Sequence, residues 1–151
     1  MTLRNRIVVS PMCQYSAEED ACATDWHLVH LGSRAVGGAG LVMVEATSVE
    51  SRGRLSLGDL GIYDDRHIEP LARIVGFVQS EGAKIGLQLA HAGRKAWTSD
   101  RGHGPEEPVA PSPLPYAEKW ATPEALTIEG ISQEVDRFRD GALRALKAGF
   151  D

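Results

Sequence analysis

Three short apolar runs separated by two helical patterns constrain this chain more than any other feature. Ile7-Val8-Val9, Leu41–Ala46 (LVMVEA) and Lys84–Leu89 (KIGLQL) each read as a strand: brief, aliphatic and bounded by turn formers. Thr24 is a good N-cap for a helix through Asp25, Trp26 and His27 to about Val36, and Asp25 suits the positive end of its dipole. Leu28, Leu31 and Ala35 recur there at helical spacing, and Gly37-Gly38 ends the pattern. A polar connection from Thr47 to Tyr63 leads to a second helix, capped by Asp64 or Asp65. That helix accepts Pro70 in its first turn, carries Ile68, Leu71, Ile74, Val75 and Val78 as its stripe, and stops at Gly82. In the third run Ile85, Leu87 and Leu89 lie on one face, Gly86 and Gln88 on the other.

Alternating strands and helices imply an α/β fold with a parallel sheet and right-handed crossovers. No Gly-x-Gly-x-x-Gly follows the first strand, which disfavours a dinucleotide-binding fold of the Rossmann kind. About three βα units look like part of a (β/α)8 TIM barrel, which takes ~250 residues in full. Beyond the third strand, residues 94–130 hold six of the eight prolines, a composition expected of a lid or an unstructured stretch. A last helix is predicted from about Ser132 to Lys147, with Ile131, Val135, Phe138, Ala142 and Leu146 lining one face and Gly149 ending it.

Composition narrows the partners. A net charge of −5 argues against nucleic acid or a membrane surface. No apolar run approaches the ~20 residues of a membrane helix. The two cysteines, Cys13 and Cys22, make neither a disulfide framework nor a C-x-x-C pattern, so a reducing cytoplasm is the expected compartment.

In a barrel the site lies at the carboxyl ends of the strands. The first strand stops at Ser10-Pro11, because proline cannot donate to a sheet ladder, and delivers Met12, Cys13, Gln14 and Tyr15. The second delivers Glu45 and Ala46, and the third Gln88, followed by His91 and Arg94. Met12 and Cys13 equally suit core filling. The Gln88 amide needs partners, which a bound heterocycle, neighbouring backbone or a buried water would each supply. Gly86 and Ala46 leave room for a flat ligand, or simply pack the barrel interior. His27 and His30 have a metal-compatible i, i+3 spacing without a nearby third ligand, and a Cys13–His91 nucleophile has no support at local spacing.

Together these segments resemble the Old Yellow Enzyme family of FMN-dependent ene-reductases, in its thermophilic-like branch. The matching pieces are LRNRIVVSPMCQYS at 3–16, VEAT at 44–47, DLGIYDD at 59–65, KIGLQLAHAGRKA at 84–96, VAPSP at 109–113 and KAGFD at 147–151, in family order. The resemblance implies that the three βα units are the N-terminal portion of a (β/α)8 TIM barrel. It implies that Ser10, Pro11, Met12, Cys13, Ala46 and Gln88 bind FMN, with Gln88 on its pyrimidine edge. It implies that Cys13 tunes the flavin potential rather than acting as a nucleophile, and that Tyr15 reaches toward the substrate. It implies NADPH or NADH as reductant, an activated alkene as substrate, ping-pong hydride transfer, and a possible homo-oligomer.

The family's substrate-binding histidine pair and proton-donating tyrosine follow a fourth barrel strand. The 151 residues stop before that strand, so no catalytic residue is expected in this chain. The expectation is a partial barrel with open strand edges, inactive alone. The alternative is a non-catalytic barrel fragment that needs a complementary chain or self-association.

Overall fold

A computed structural model describes residues 1–151. Its centre is a three-stranded parallel sheet in the order β1-β2-β3, formed by Val8–Val9, Leu41–Ser48 and Lys84–Ala90. β2 lies in the middle: Val8 and Val9 pair with Leu41 and Val42, and Leu41 to Val44 pair with Lys84 to Leu87. The register then shifts, so that Ala46 pairs with Gln88 and Glu45 is left over as a bulge. Such a bulge bends the strand and re-aims the unpaired side chain.

Two helices cover one face of this sheet: α1, Asp25–Val36, and α2, Ile68–Ser80. Val42, Val44 and Ile85 point into the layer between them and pack with Leu31, Ala35, Leu71, Ile74, Val75 and Val78. Full burial of each such side chain contributes about 1.5–3 kcal/mol before entropy is counted. The caps follow the sequence. The backbone N–H of Thr24 donates to Nδ1 of His27 at 3.0 Å, and Asp64 caps a 3-10 turn, Asp65–His67, that runs into α2. Gly82 takes a φ of +77°, which ends the α2 region as predicted.

Several expectations need correction. β1 holds two residues rather than three, pairs only with β2, and leaves Ile7 and Val8 exposed. β2 and β3 run on to Ser48 and Ala90. The connection after β2 is polar in sequence yet buries Val49, Leu60 and Ile62, because Ser48 bridges to Gly61 and draws the loop onto the sheet. The proline-rich segment is ordered. Trp97 is fully buried, Gly104 lies against its ring, and β4, Val109–Ala110, pairs in parallel with β5, Glu124–Ala125.

The last helix, α3, is Ile128–Lys147, four residues longer than predicted because Thr127 caps it and accepts from the Gly130 N–H at 3.0 Å. Its apolar stripe does not face the sheet: Ile131, Val135, Phe138 and Leu146 are exposed. The helix instead approaches through Gly141 and Ala145, and a Cβ on Gly141 would lie only 3.0 Å from Val49 and 3.3 Å from Ile62. We expect Gly141→Leu to destabilise the fold by about 1–3 kcal/mol through overpacking. Val135→Ser on the exposed stripe should stay within about 0.5 kcal/mol. Urea unfolding of the two variants measures both.

Candidate functional site

Because the strands are parallel, their carboxyl ends open on one edge of the sheet. That edge carries, from β1 to β3, the segment 10–15, Ala46 and Gln88. Ala46 and Gln88 are direct partners in the ladder. The Cys13 thiol is half-buried against the Ala46 backbone, whose hydrogen bonding lowers its pKa. Burial, followed by the charges of Asp59 and Glu45, outweighs that effect and pushes the thiol up. Gln88 is exposed, contrary to a buried amide inside an apolar strand, because the face it shares with Gly86 is the one the helices leave open. A Cβ on Gly86 would meet the Met43 sulfur at 2.6 Å, so that flexible side chain would have to move. Ser10 and Met12 are exposed, Pro11 is half-buried, and Tyr15 is exposed with a left-handed φ of 52°.

The segment after β1 is held from beneath. The Gln14 N–H donates to Oε2 of Glu45 at 3.1 Å, and the Trp26 indole donates to the Gln14 side chain at 3.2 Å. Ala17 donates to the Gly58 carbonyl at 2.9 Å. The buried Arg54 guanidinium donates to the carbonyls of Glu19 at 2.9 Å and Glu18 at 3.2 Å, and also to that of Leu57. His67, which carried no signal in the sequence, is buried and bonds the Asp20 carbonyl through Nε2 at 2.9 Å. Glu45 is itself buried beside His27, with 3.9 Å between Oε2 and Nε2. Burial raises the Glu45 carboxyl to about 7, with the Gln14 amide opposing and Asp59 adding to the shift. Burial, then the nearby His30, lowers His27 to about 4.

The histidines do not pair as metal ligands, and His91 does not reach Cys13. Instead His91 Nδ1 accepts from the Gly93 N–H at 2.9 Å, and Nε2 donates to Glu50 at 2.8 Å. Glu50, His91 and Glu134 place their ligand atoms within 4.8 Å of one another. Arg52 and Arg137, at 2.7 and 2.9 Å from Glu50, join these three residues in an ion network, in which Oε2 of Glu134 is buried without a hydrogen-bond partner. Burial alone would raise Glu50; hydrogen bonds from His91 and Arg52 and the charges of both arginines hold it well below the ordinary carboxylate range. Local spacing gave no sign of this network, since Arg52 and Glu134 lie 82 residues apart. Beside it a cavity of about 110 Å³ is lined by Ala46, Ser48, Arg54, Asp59, Ala90 and His91, among others. Cys13, Tyr15 and Gln88 stand outside it.

The sequence pattern of the NADH:flavin oxidoreductase / NADH oxidase family matches residues 1–151. The chain belongs to that family. An NADPH dehydrogenase of Geobacillus thermodenitrificans is 50% identical over 152 residues, covering 100% of this chain and 43% of the relative. Among solved structures, morphinone reductase superposes with a TM-score of 0.88 at 31% identity, over 100% of this chain and 43% of its own. An Old Yellow Enzyme homologue from Zymomonas mobilis gives a TM-score of 0.87 at 30% identity, over 100% and 44%. The chain thus spans less than half the length of these flavin oxidoreductase relatives, and its parallel βα units correspond to the N-terminal portion of their barrel. No helix is long and apolar enough to cross a membrane.

The ion network gives a signed prediction. A carboxylate held below its ordinary value stabilises the fold above about pH 4.5, and that stabilisation is lost on acidification. Glu50→Gln should therefore cost about 2–4 kcal/mol at pH 7. The gap to the wild type should narrow as pH falls below about 4.5. Denaturant titrations at a series of pH values measure it.

Proposed function

We propose that this chain forms the flavin-facing N-terminal part, about three βα units, of an FMN-dependent NAD(P)H oxidoreductase that reduces activated alkenes. The observation that carries the reading is the row formed by Cys13, Ala46 and Gln88 at the open carboxyl edge of the sheet, with the Gln88 amide exposed and free of protein partners. An uncommitted amide beside small residues and a soft thiol suits a flat heterocycle with carbonyl and ring-nitrogen groups. Bound FMN would supply two-electron chemistry, the ping-pong relay of a hydride from NAD(P)H to the β-carbon of an alkene activated by a carbonyl or nitro group.

The chain's own residues bind and tune. Gln88 would donate to and accept from the pyrimidine edge, while Ser10, Pro11, Met12 and Ala46 would line the ring. Cys13 is raised in pKa, so it stays a thiol near neutral pH and tunes the ring through a weak S–H contact rather than attacking substrate. Tyr15, exposed at the end of the segment, reaches toward the substrate. The reading includes a cytoplasmic, self-associating protein. A second reading, a non-catalytic barrel fragment that needs a complementary chain or self-association, is favoured by the exposed apolar stripe of α3 and the open edge of β1.

Protein purified from its native host is expected to carry bound FMN. NADPH or NADH should bleach it without oxygen, and 2-cyclohexenone, used as a probe alkene, should restore the colour. Protein that holds no flavin at micromolar FMN sinks the reading. Gln88→Leu should weaken FMN binding by about 1–2 kcal/mol, roughly 5- to 30-fold, measured by flavin fluorescence titration. Cys13→Ala should keep FMN bound and shift its midpoint potential.

A further inference from the structure

Glu45 is the residue at which the sheet, α1 and the thiol-bearing segment meet. The bulge leaves it without a partner in β3. Its side chain is only 3% exposed, and Oε2 spans between the Gln14 N–H at 3.1 Å and His27 Nε2 at 3.9 Å. His27 Nδ1 accepts from the Thr24 N–H, so its ring proton is left on Nε2, facing Glu45. That nitrogen and the second Glu45 oxygen, Oε1, are both buried without a hydrogen-bond partner. Unsatisfied polar atoms on two facing side chains are costly and call for a physical account.

We propose that Glu45 is a positioning residue for residues 12–15: its carboxylate holds the Gln14 amide in place, and gain or loss of one proton there sets how readily the adjacent Cys13 thiol ionises. The groups facing Glu45 are few. His27 comes from α1 with His30 beside it, Asp59 from the loop after β2 with Arg54 beside it, and Cys13 and Tyr15 from the segment after β1; β3 has no pairing residue opposite Glu45. Asp59 is buried with Oδ1 unpartnered, although Oδ2 accepts from the Ser56 N–H. His27 stays neutral down to about pH 4, so it does not compensate a Glu45 carboxylate. Once Glu45 ionises, near pH 7, its charge adds to the larger effect of Asp59 in opposing a thiolate on Cys13. Below that pH the carboxyl is neutral, that added opposition ends, and its grip on the Gln14 amide weakens from a charge-assisted to a neutral hydrogen bond.

The inference concerns the thiol that the proposed function places beside the flavin, but its test needs no flavin, so the two fail separately. The full chain is alkylated with iodoacetamide between pH 5.5 and 9, and Cys13 and Cys22 are quantified by mass spectrometry. Cleavage after Glu18 and Glu19 separates the two cysteines, and Cys22 serves as the internal reference. In the wild type, log rate against pH at Cys13 should rise with unit slope at both ends and flatten through about pH 7.

In Glu45→Gln the flattening should vanish. Cys13 should then react about threefold faster at pH 8.5, the larger thiolate fraction being partly offset by the weaker nucleophile. Cys22 should be unchanged. Asp59→Asn should keep the flattening. A wild-type profile of unit slope across pH 7 overturns the proposal, and it does so without any variant having to fold. Loss of the flattening in Asp59→Asn but not in Glu45→Gln also overturns it, by assigning the proton to Asp59.

Discussion

The structure depends on β2 being hydrogen-bonded along both edges in parallel. Pairing with β1 on one side and β3 on the other brings three chain segments, far apart in sequence, to one edge with their carboxyl ends aligned. Parallel pairing also forces crossover helices, and α1 and α2 lie on one face because right-handed crossovers carry the chain back the same way each time. One face therefore becomes a core of Val42, Val44, Ile85 and the helix stripes, and the other keeps Met43, Gly86, Ala46 and Gln88 open. The flavin site proposed above lies on that open edge, where the carboxyl ends of the strands meet.

The single irregularity in this ladder has the largest consequences. Without the bulge at Glu45, strict alternation would continue and the carboxylate would not meet His27 across the helix-covered side. With it, a charge-bearing group is buried beneath the segment that ends β1. Around it lies a second, polar layer, in which Arg54 ties Glu18 and Glu19 to the loop after β2 and His67 ties Asp20 to the start of α2. Residues 10–22 have little regular structure of their own. Their shape is borrowed from this layer, which explains how Tyr15 is kept in a left-handed conformation that a non-glycine residue enters at some cost.

α3 is attached differently. Its contact with the sheet side runs through Gly141 and Ala145 and through the ions of Glu134 and Arg137, while its larger apolar residues face outward. Close approach through small residues brings the helix onto Val49, Ile62 and Leu89, and the network of Glu50, His91, Arg52 and Arg137 fixes its rotation. The relatives are more than twice as long as this chain, and in them a barrel continues beyond these units. An outward stripe on the last helix is consistent with such a neighbour.

The sequence by itself determined the order of strands and helices, the caps at Thr24 and Asp64, the stop at Gly82, and the three strand ends bearing Cys13, Ala46 and Gln88. These are local properties, set by periodicity over a few residues and by the backbone preferences of Gly, Pro, Thr and Asp. The family, too, was legible from short motifs in order. Only the tertiary structure decided which way α3 turns its apolar stripe, that the polar-looking loop after β2 buries Val49, Leu60 and Ile62, that Gln88 is exposed, that Glu45 is buried beside His27, and that Glu50, His91 and Glu134 meet in one ion network. Each of those depends on a contact across tens of residues, or on one extra residue in a strand. Spacing along the chain carries no record of either, because burial and ionisation are set by whichever groups the fold brings alongside.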